Sequence, residues 1–354
     1  GRSLVFPFGA AQLMIASVQS LADKMRRVLG SSEKEAADLK PLGEKRTGAG
    51  LLRRKRITVA LMAIIFGAMS GVIELPLPAE DGFRLARAQL RVRAVPQDIV
   101  VIAIDDATLN ELGVSIPTRH HDSELIDRLV RAGVQKIVFD RAHADPETPQ
   151  SDAAFARTLG KHRDKVWLGM TPKLDIGVQQ VGKIAPLKLF RESVPMASMG
   201  GFQGPFGLSV AFPTEVEMDG RTHPSISAVL ADYRGPPTRY RPDYAFNAET
   251  IPSYRYVDVV RGRVGGAQLA GKAVIIGKTF IDSSDVFRHP LYGKVPGSYF
   301  HVLGAHTLKR GAPVDLMWFP GMLVAALAIA TQAFNRIRSH RLLWLPIIAL
   351  PAAA

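Results

Sequence analysis

Long charge-free runs alternate with short, strand-length apolar segments along this chain. Residues 57–73 read ITVALMAIIFGAMSGVI, seventeen positions without a charge, and the apolar character continues past Glu74 to Leu77. At about 1.5 Å per residue, a helix over 57–77 crosses the roughly 30 Å hydrocarbon core of a bilayer. A buried core helix is the alternative, and the flanks decide against it. Arg53, Arg54, Lys55 and Arg56 stand directly before the run, while the far side is nearly neutral, which places the N-terminal side in the cytoplasm. Residues 316–334 give nineteen more uncharged positions, with Trp318 and Phe319 at the outer end, where aromatic rings favour the headgroup level. A third apolar run, 342–354, stops within a helix length and the sequence opens on Gly1, so a longer protein is expected. Residues 3–22 are also uncharged, but Pro7, Gln12, Ser17, Gln19 and Ser20 dilute them; a surface-lying helix or a cytoplasmic lead-in is expected there rather than a span.

Between the first two spans the pattern changes to that of a folded domain, residues 78–315. Residues 83–93 interleave apolar and arginine positions as a helical stalk. The run IVVIAI at 99–104 is β-branched throughout and reads as a strand buried on both faces. The helix-like DATLNELG follows, then a turn at Pro117, a helix over 123–132 stopped by Gly133, and a strand at 137–139. Ser151 is placed to cap the helix DAAFARTLG, and 166–170 is again strand-like. Residues 200–219 read as loops with short antiparallel strands, 224–233 and 254–261 as helices, 273–276 as a late buried strand, and 301–309 as a last helix. Alternating strands and helices with short connections predict an α/β fold on a mainly parallel, mixed sheet, flanked by transmembrane helices. No internal repeat is present.

Composition sharpens this picture. The 354 residues carry 45 Lys+Arg against 32 Asp+Glu, a formal charge of +13, and no cysteine. Thiolate-metal and redox roles are excluded. Such a basic balance suggests a nucleic-acid partner until the charges are located. Residues 1–56 hold 12 basic and 5 acidic side chains, and residues 335–354 hold 3 basic and none acidic, so ten of the thirteen charges flank the predicted spans. They describe orientation beside anionic lipid, and nucleic acid is not expected as a partner.

Candidate chemistry lies at strand ends. Ligands in open α/β sheets bind beyond the carboxyl ends of the strands. Asp105, Asp106, Asp140 and the 277–279 turn, with Thr279, each follow a predicted strand, and Arg119 stands nearby. Two or three carboxylates there could bind a polar ligand or a metal. Helix capping is the competing explanation, because an Asp just past a strand often satisfies free N–H groups of the next helix. The string LAGKAVIIGKT ends like a phosphate-binding loop, but the first Gly of that motif would fall at Lys272, and 273–276 are apolar strand residues. His120, His121, His289, His301 and His306 lack metal-ligand spacing and are expected on solvated loops or helix faces. No G-x-S-x-G elbow occurs, and no catalytic or metal-ligating residue or cofactor is expected.

Three ordered segments carry a family resemblance. VVIAIDDATLNELG (100–113), VQKIVFD ending at Asp140 with a following Asp145-Pro146, and LAGKAVIIGKT with Asp285 and then HPLYGKVPGSYFHVLGAHTLKRG (289–311) together resemble the class-two CHASE sensor domain. The resemblance covers nearly all of 80–315 and adds Asp285 to the candidate ligand set. Where the family usually has a Trp-Pro-Trp-Pro-Arg-like segment this chain has SIPTRHH, keeping Pro117 and Arg119, and Lys278 replaces a small residue. The resemblance implies a periplasmic sensor of an unknown small-molecule or physical signal in a bacterial inner membrane, a possible homodimer, and a cytoplasmic GGDEF or EAL output domain handling cyclic di-GMP. The enzyme alternative is a membrane-anchored periplasmic hydrolase using Asp105, Asp106 and Asp140 on a metal.

Overall fold

The computed structural model describes residues 77–311, except 173, 177–178, 182, 204–209 and 281–284, plus isolated positions at 58, 61, 62, 64, 65, 323 and 326. The chain divides into two compact units, Gly1–Ile64 and Ile65–Ala354, and the architecture below belongs to the second. The predicted spans at 57–77, 316–334 and 342–354 lie outside the described residues, isolated positions and Leu77 aside. Among the described residues, no helix is long and apolar enough to cross a membrane.

Six segments pair into one sheet: β1 (Ile99–Ile104), β2 (Lys136–Phe139), β3 (Val166–Met170), β4 (Met196–Ser198), β5 (Ser253–Arg255) and β6 (Ala273–Lys278). Their order is β5-β1-β6-β2-β3-β4, and every pairing is parallel. Parallel strands need both faces covered, which is why β1 can be apolar at every position. Side chains alternate between two cores. On one face Ile99, Val101, Val138, Ala197 and Ile275 pack against α6 (Ile226–Ala231) and α8 (Gly297–Lys309). On the other, Val100, Ile102, Ile104, Ile137, Phe139, Val274 and Ile276 meet α3 (Arg119–Arg131), α4 (Pro149–Lys161), α5 (Lys188–Ser193) and α7 (Tyr256–Val260). A stalk helix, α1 (Leu77–Gln89), precedes the domain, and α2 (Asp106–Leu112) follows β1.

Two connections break the pattern. The helices that follow β1, β2, β3 and β5 lie on the second face, whereas β4 leads to α6 and β6 to α8 on the first. Because β6 sits between β1 and β2, the chain diverges to opposite faces at its carboxyl end. That is a topological switch point, the place where open α/β sheets form crevices.

Several local expectations shift. Thr148 rather than Ser151 caps α4, accepting from Ser151 N at 3.2 Å, with Pro149 in the first turn. The α3 helix begins four residues before the predicted 123, because Thr118 N donates to His121 Nδ1 at 3.3 Å and opens the helix there. Residues 254–255, read as the start of a helix over 254–261, instead belong to β5 and pair with β1, and the helix starts at Tyr256. The short antiparallel strands expected near 200–219 are present, at Phe202–Gln203, Val210–Pro213 and Glu215–Met218.

Leu129 is fully buried on the inner face of α3. Leu129→Ala is expected to lower unfolding free energy by about 2–5 kcal/mol in a urea titration, whereas Leu189→Ala, at a position 45% exposed, stays within about 0.5 kcal/mol of the parent.

Candidate functional site

The end of β2 sends consecutive residues to opposite faces. Val138 packs in the first core and Phe139 in the second, so the period of two carries Asp140 to the first face and Arg141 to the second. Each enters a polar cluster, and the two clusters differ in how completely they are satisfied.

On the second face Arg141 pairs with Asp122, which is wholly buried in the first turn of α3. Asp122 also accepts from Tyr256 Oη at 2.9 Å. The ring of His143 places Nε2 2.9 Å from Asp122 Oδ2 and 2.8 Å from Arg141 Nη2, with Nδ1 3.2 Å from the Arg141 carbonyl oxygen. Burial alone would raise Asp122, but the Arg141 charge and the His143 and Tyr256 hydrogen bonds outweigh it and hold the carboxyl below its ordinary range. Burial, then the Arg141 charge, pushes His143 down to about 4, so the ring is neutral at pH 7. Next to this cluster Arg119 is buried as well. Its Nη2 donates to the Asp145 carbonyl at 2.6 Å, its Nε to Asp152 Oδ1 at 3.3 Å, and its guanidinium lies 5.2 Å from the Phe190 ring centroid. Charge and hydrogen bonding are closed on this face, so Arg119 and Arg141 act as clamps that tie α3, α4 and the loop after β2 together.

On the first face the polar groups are not closed. Asp140 N donates to Ile276 O at 2.8 Å, which fixes the residue against β6. Its side chain is 3% exposed; Oδ1 lies 3.7 Å from His301 Nε2, and Oδ2 has no partner. Ser298, in the first turn of α8, and Thr279, just past β6, each bury an unpartnered hydroxyl. Gly277 explains how Ser298 and Asp140 meet. A Cβ on it would stand 2.7 Å from Ser298 Oγ and 3.6 Å from Asp140 Oδ2, so only glycine lets the start of α8 approach the strand. Asp285 completes the group, its carbonyl accepting from Gly297 N at 3.0 Å and its carboxylate lying against Gly297. Burial, with Asp285 second, pushes Asp140 well above the ordinary carboxylate range; burial also raises Asp285, and Lys278 opposes both shifts. His301 is driven down to about 3 by burial.

The candidate set therefore divides. Asp140 and Asp285 come together with Ser298 at the switch point, and Thr279 follows β6 at the same end of the sheet. Asp105 instead caps α2, accepting from Thr108 N at 2.8 Å and pairing with Arg255 Nε at 3.2 Å. Asp106 is exposed in the first turn of that helix, and Arg119 serves the other face. Four residues the sequence reading passed over matter: Ser298 in the open cluster, and Asp122, Arg141 and His143 in the closed one. His289, His301 and His306 are buried to 2% exposure or less, packed on aromatic rings, which corrects the expectation that they are solvated. Among the described residues, no group of three or more His, Cys, Asp or Glu is arranged to hold a metal ion.

A domain with a doubly covered parallel sheet and an open polar cluster at its switch point matches one family profile, that of the CHASE2 domain, over residues 59–334. The chain belongs to the CHASE2 family. CHASE2 domains are extracytoplasmic sensor domains, so the open cluster lies in a fold given to sensing rather than catalysis. The matched range runs past the described CHASE2 fold into both apolar segments that flank it. Comparison with curated proteins and with solved structures gives no match.

Two outcomes follow for the closed cluster. Arg141→Met leaves Asp122 buried without its cation and is expected to cost about 3–5 kcal/mol in denaturant unfolding. The second concerns pH. Between about 6.5 and 4 the unfolded chain takes up a proton at His143 that the folded domain refuses, so stability falls as pH drops through that window, by up to about 3 kcal/mol. His143→Gln is expected to flatten the dependence of melting temperature on pH between 7 and 4.5; an unchanged slope contradicts the assignment.

Proposed function

We propose that this chain is the sensory part of a membrane-bound bacterial signal receptor. In this reading residues 78–315 stand outside the cytoplasm between spans at 57–77 and 316–334, residues 1–56 and 335–341 are cytoplasmic, and 342–354 begins a further span. Asp140, Thr279 and Asp285, with Ser298, form the sensory site. The course of α8 is the observation that carries the proposal. This helix has Ser298 and His301 in its first turns, rises about 20 Å at about 1.5 Å per residue, and ends at Lys309, shortly before the apolar run at 316. At that lower end Lys309 pairs with Asp98, just ahead of β1.

A signal bound at the upper end of α8 shifts the receptor only by its difference in affinity between two helix positions. A homodimer supplies the partner surface against which a piston or rotation of such a helix is read. The output is a cytoplasmic domain of the GGDEF or EAL kind, making or degrading cyclic di-GMP. The hydrolase alternative gains no support from the geometry, since Asp105 is spent on a helix cap and on Arg255 while Asp140 sits with α8.

An alkaline-phosphatase fusion after Gly311 is expected to be active and a cytoplasmic-type reporter at the same place silent. The reverse result overturns the orientation.

A further inference from the structure

A cleft of about 610 Å³ opens at the amino edge of the sheet, and its wall carries three arginines from three separate segments. Arg163 stands in the turn that joins α4 to β3, Arg191 in the last turn of α5, and Arg221 at the start of the second strand of the hairpin 215–224. Val194 and Pro195, which lead into β4, line the cleft as well. The fold brings these segments together through apolar packing. Met218 joins Met170 and Met196 in a small core of its own, which sets the hairpin against the outer strands β3 and β4. The two-residue turn Asp219-Gly220 has φ of 54° and 70°, the twist that a tight hairpin requires, and Arg221 follows it directly. Asp219 in turn accepts from Arg191 Nη1 at 3.4 Å, which ties the hairpin to α5.

The charge on this wall is not closed. Asp219 is shared between Arg191 and Lys183, and Glu192, the one carboxylate that lines the cleft, lies 3.8 Å from Lys188. Arg191 Nε is buried without a partner, and among the described residues neither Arg163 nor Arg221 has a hydrogen bond or an ion pair. Burial, then the Arg221 charge, holds His223 below its ordinary value, so the positive field there reaches its neighbours. A guanidinium presents its donors as a rigid fork that takes two oxygens of a carboxylate or phosphate at once. Three such forks around a cleft in the size range of small-molecule sites fit a ligand with more than one acidic group.

We propose that Arg163, Arg191 and Arg221 form a second binding site, for a small organic anion that carries two or more carboxylate or phosphate groups. The site lies at the opposite edge of the sheet from Asp140 and Ser298, so it does not depend on reading that cluster as sensory. Occupancy ties the hairpin 215–224 to the turn before β3 and to the end of α5 through one ligand.

The test is isothermal titration calorimetry of the full chain, held in phosphatidylcholine nanodiscs, with citrate and with pyrophosphate at constant ionic strength. The expected result is saturable binding of at least one of them, weakened about tenfold or more in Arg163→Gln and in Arg221→Gln. Binding is expected to be unchanged in Arg131→Gln, an exposed arginine at the end of α3, and in Ser298→Ala at the other cluster. Arg163 and Arg221 are exposed and unpaired, so their variants fold as the parent does. The tighter probe names the acidic group, carboxylate or phosphate. No binding of either probe, or binding that survives both substitutions, overturns the proposal. Acetate bound as tightly as citrate overturns it too, because one acidic group would then suffice. Phosphatidylglycerol nanodiscs that raise the melting temperature through the same two arginines, with neither probe bound, overturn it in favour of lipid headgroups.

Discussion

Everything in this domain depends on the two-sided burial of one parallel sheet. Parallel strands cannot leave a face to water, so each position along β1, β2 and β6 commits its side chain to one of two cores. The same alternation continues one residue beyond the strands, where the chain turns polar. It separates Asp140 from Arg141, neighbours in sequence, and gives them opposite fates. Arg141 meets a carboxylate and an imidazole in a cluster that a phenol completes, and is closed off; Asp140 meets a hydroxyl and a second carboxyl and is left with one oxygen without a hydrogen-bond partner.

The two faces of the sheet are closed to different degrees. The second face is fixed by hydrogen-bonded charge and by a core of large side chains, among them Phe139, Phe155 and Phe190. The first face receives α8 only at the end of the chain's path through the sheet, and its upper end approaches β6 through Gly277 and Gly297, with no side-chain hydrogen bond from Pro296 at its cap. At that end Gly297 N is taken by the Asp285 carbonyl and Ser298 faces Asp140, while Phe300, Val302 and Leu303 beyond it pack into the first core. The lower end is held by Lys309 and Asp98 at the amino edge of β1.

Much of this was legible in the sequence, for physical reasons that also explain the misses. The four strands with apolar, β-branched runs, β1, β2, β3 and β6, announced themselves. The strands β4 and β5 did not, because Met-Ala-Ser and Ser-Tyr-Arg are three-residue edge strands with no run to see. Strand ends pointed to Asp140 and Thr279 because a polar residue after a buried strand has few other places to go. Asp105 takes the competing role, a helix cap on Thr108 N, and Arg119 lies on the other face, since succession in the chain does not tell which face a loop will take. Ser298 went unnoticed because nothing in Pro296-Gly297 marks a helix start, so α8 was expected to begin at His301. The buried histidines were missed because a neutral imidazole packed on an aromatic ring, such as His301 at 4.9 Å from Phe212, leaves no signature in spacing.

The central claim is that the polar group between β2, β6 and α8 is built to hold something. A crystal structure of the chain at atomic resolution tests it most directly. The account predicts electron density for a bound species in contact with Asp140 Oδ2 and Ser298 Oγ. Those side chains turned to hydrogen-bond one another, with nothing between them, would contradict it.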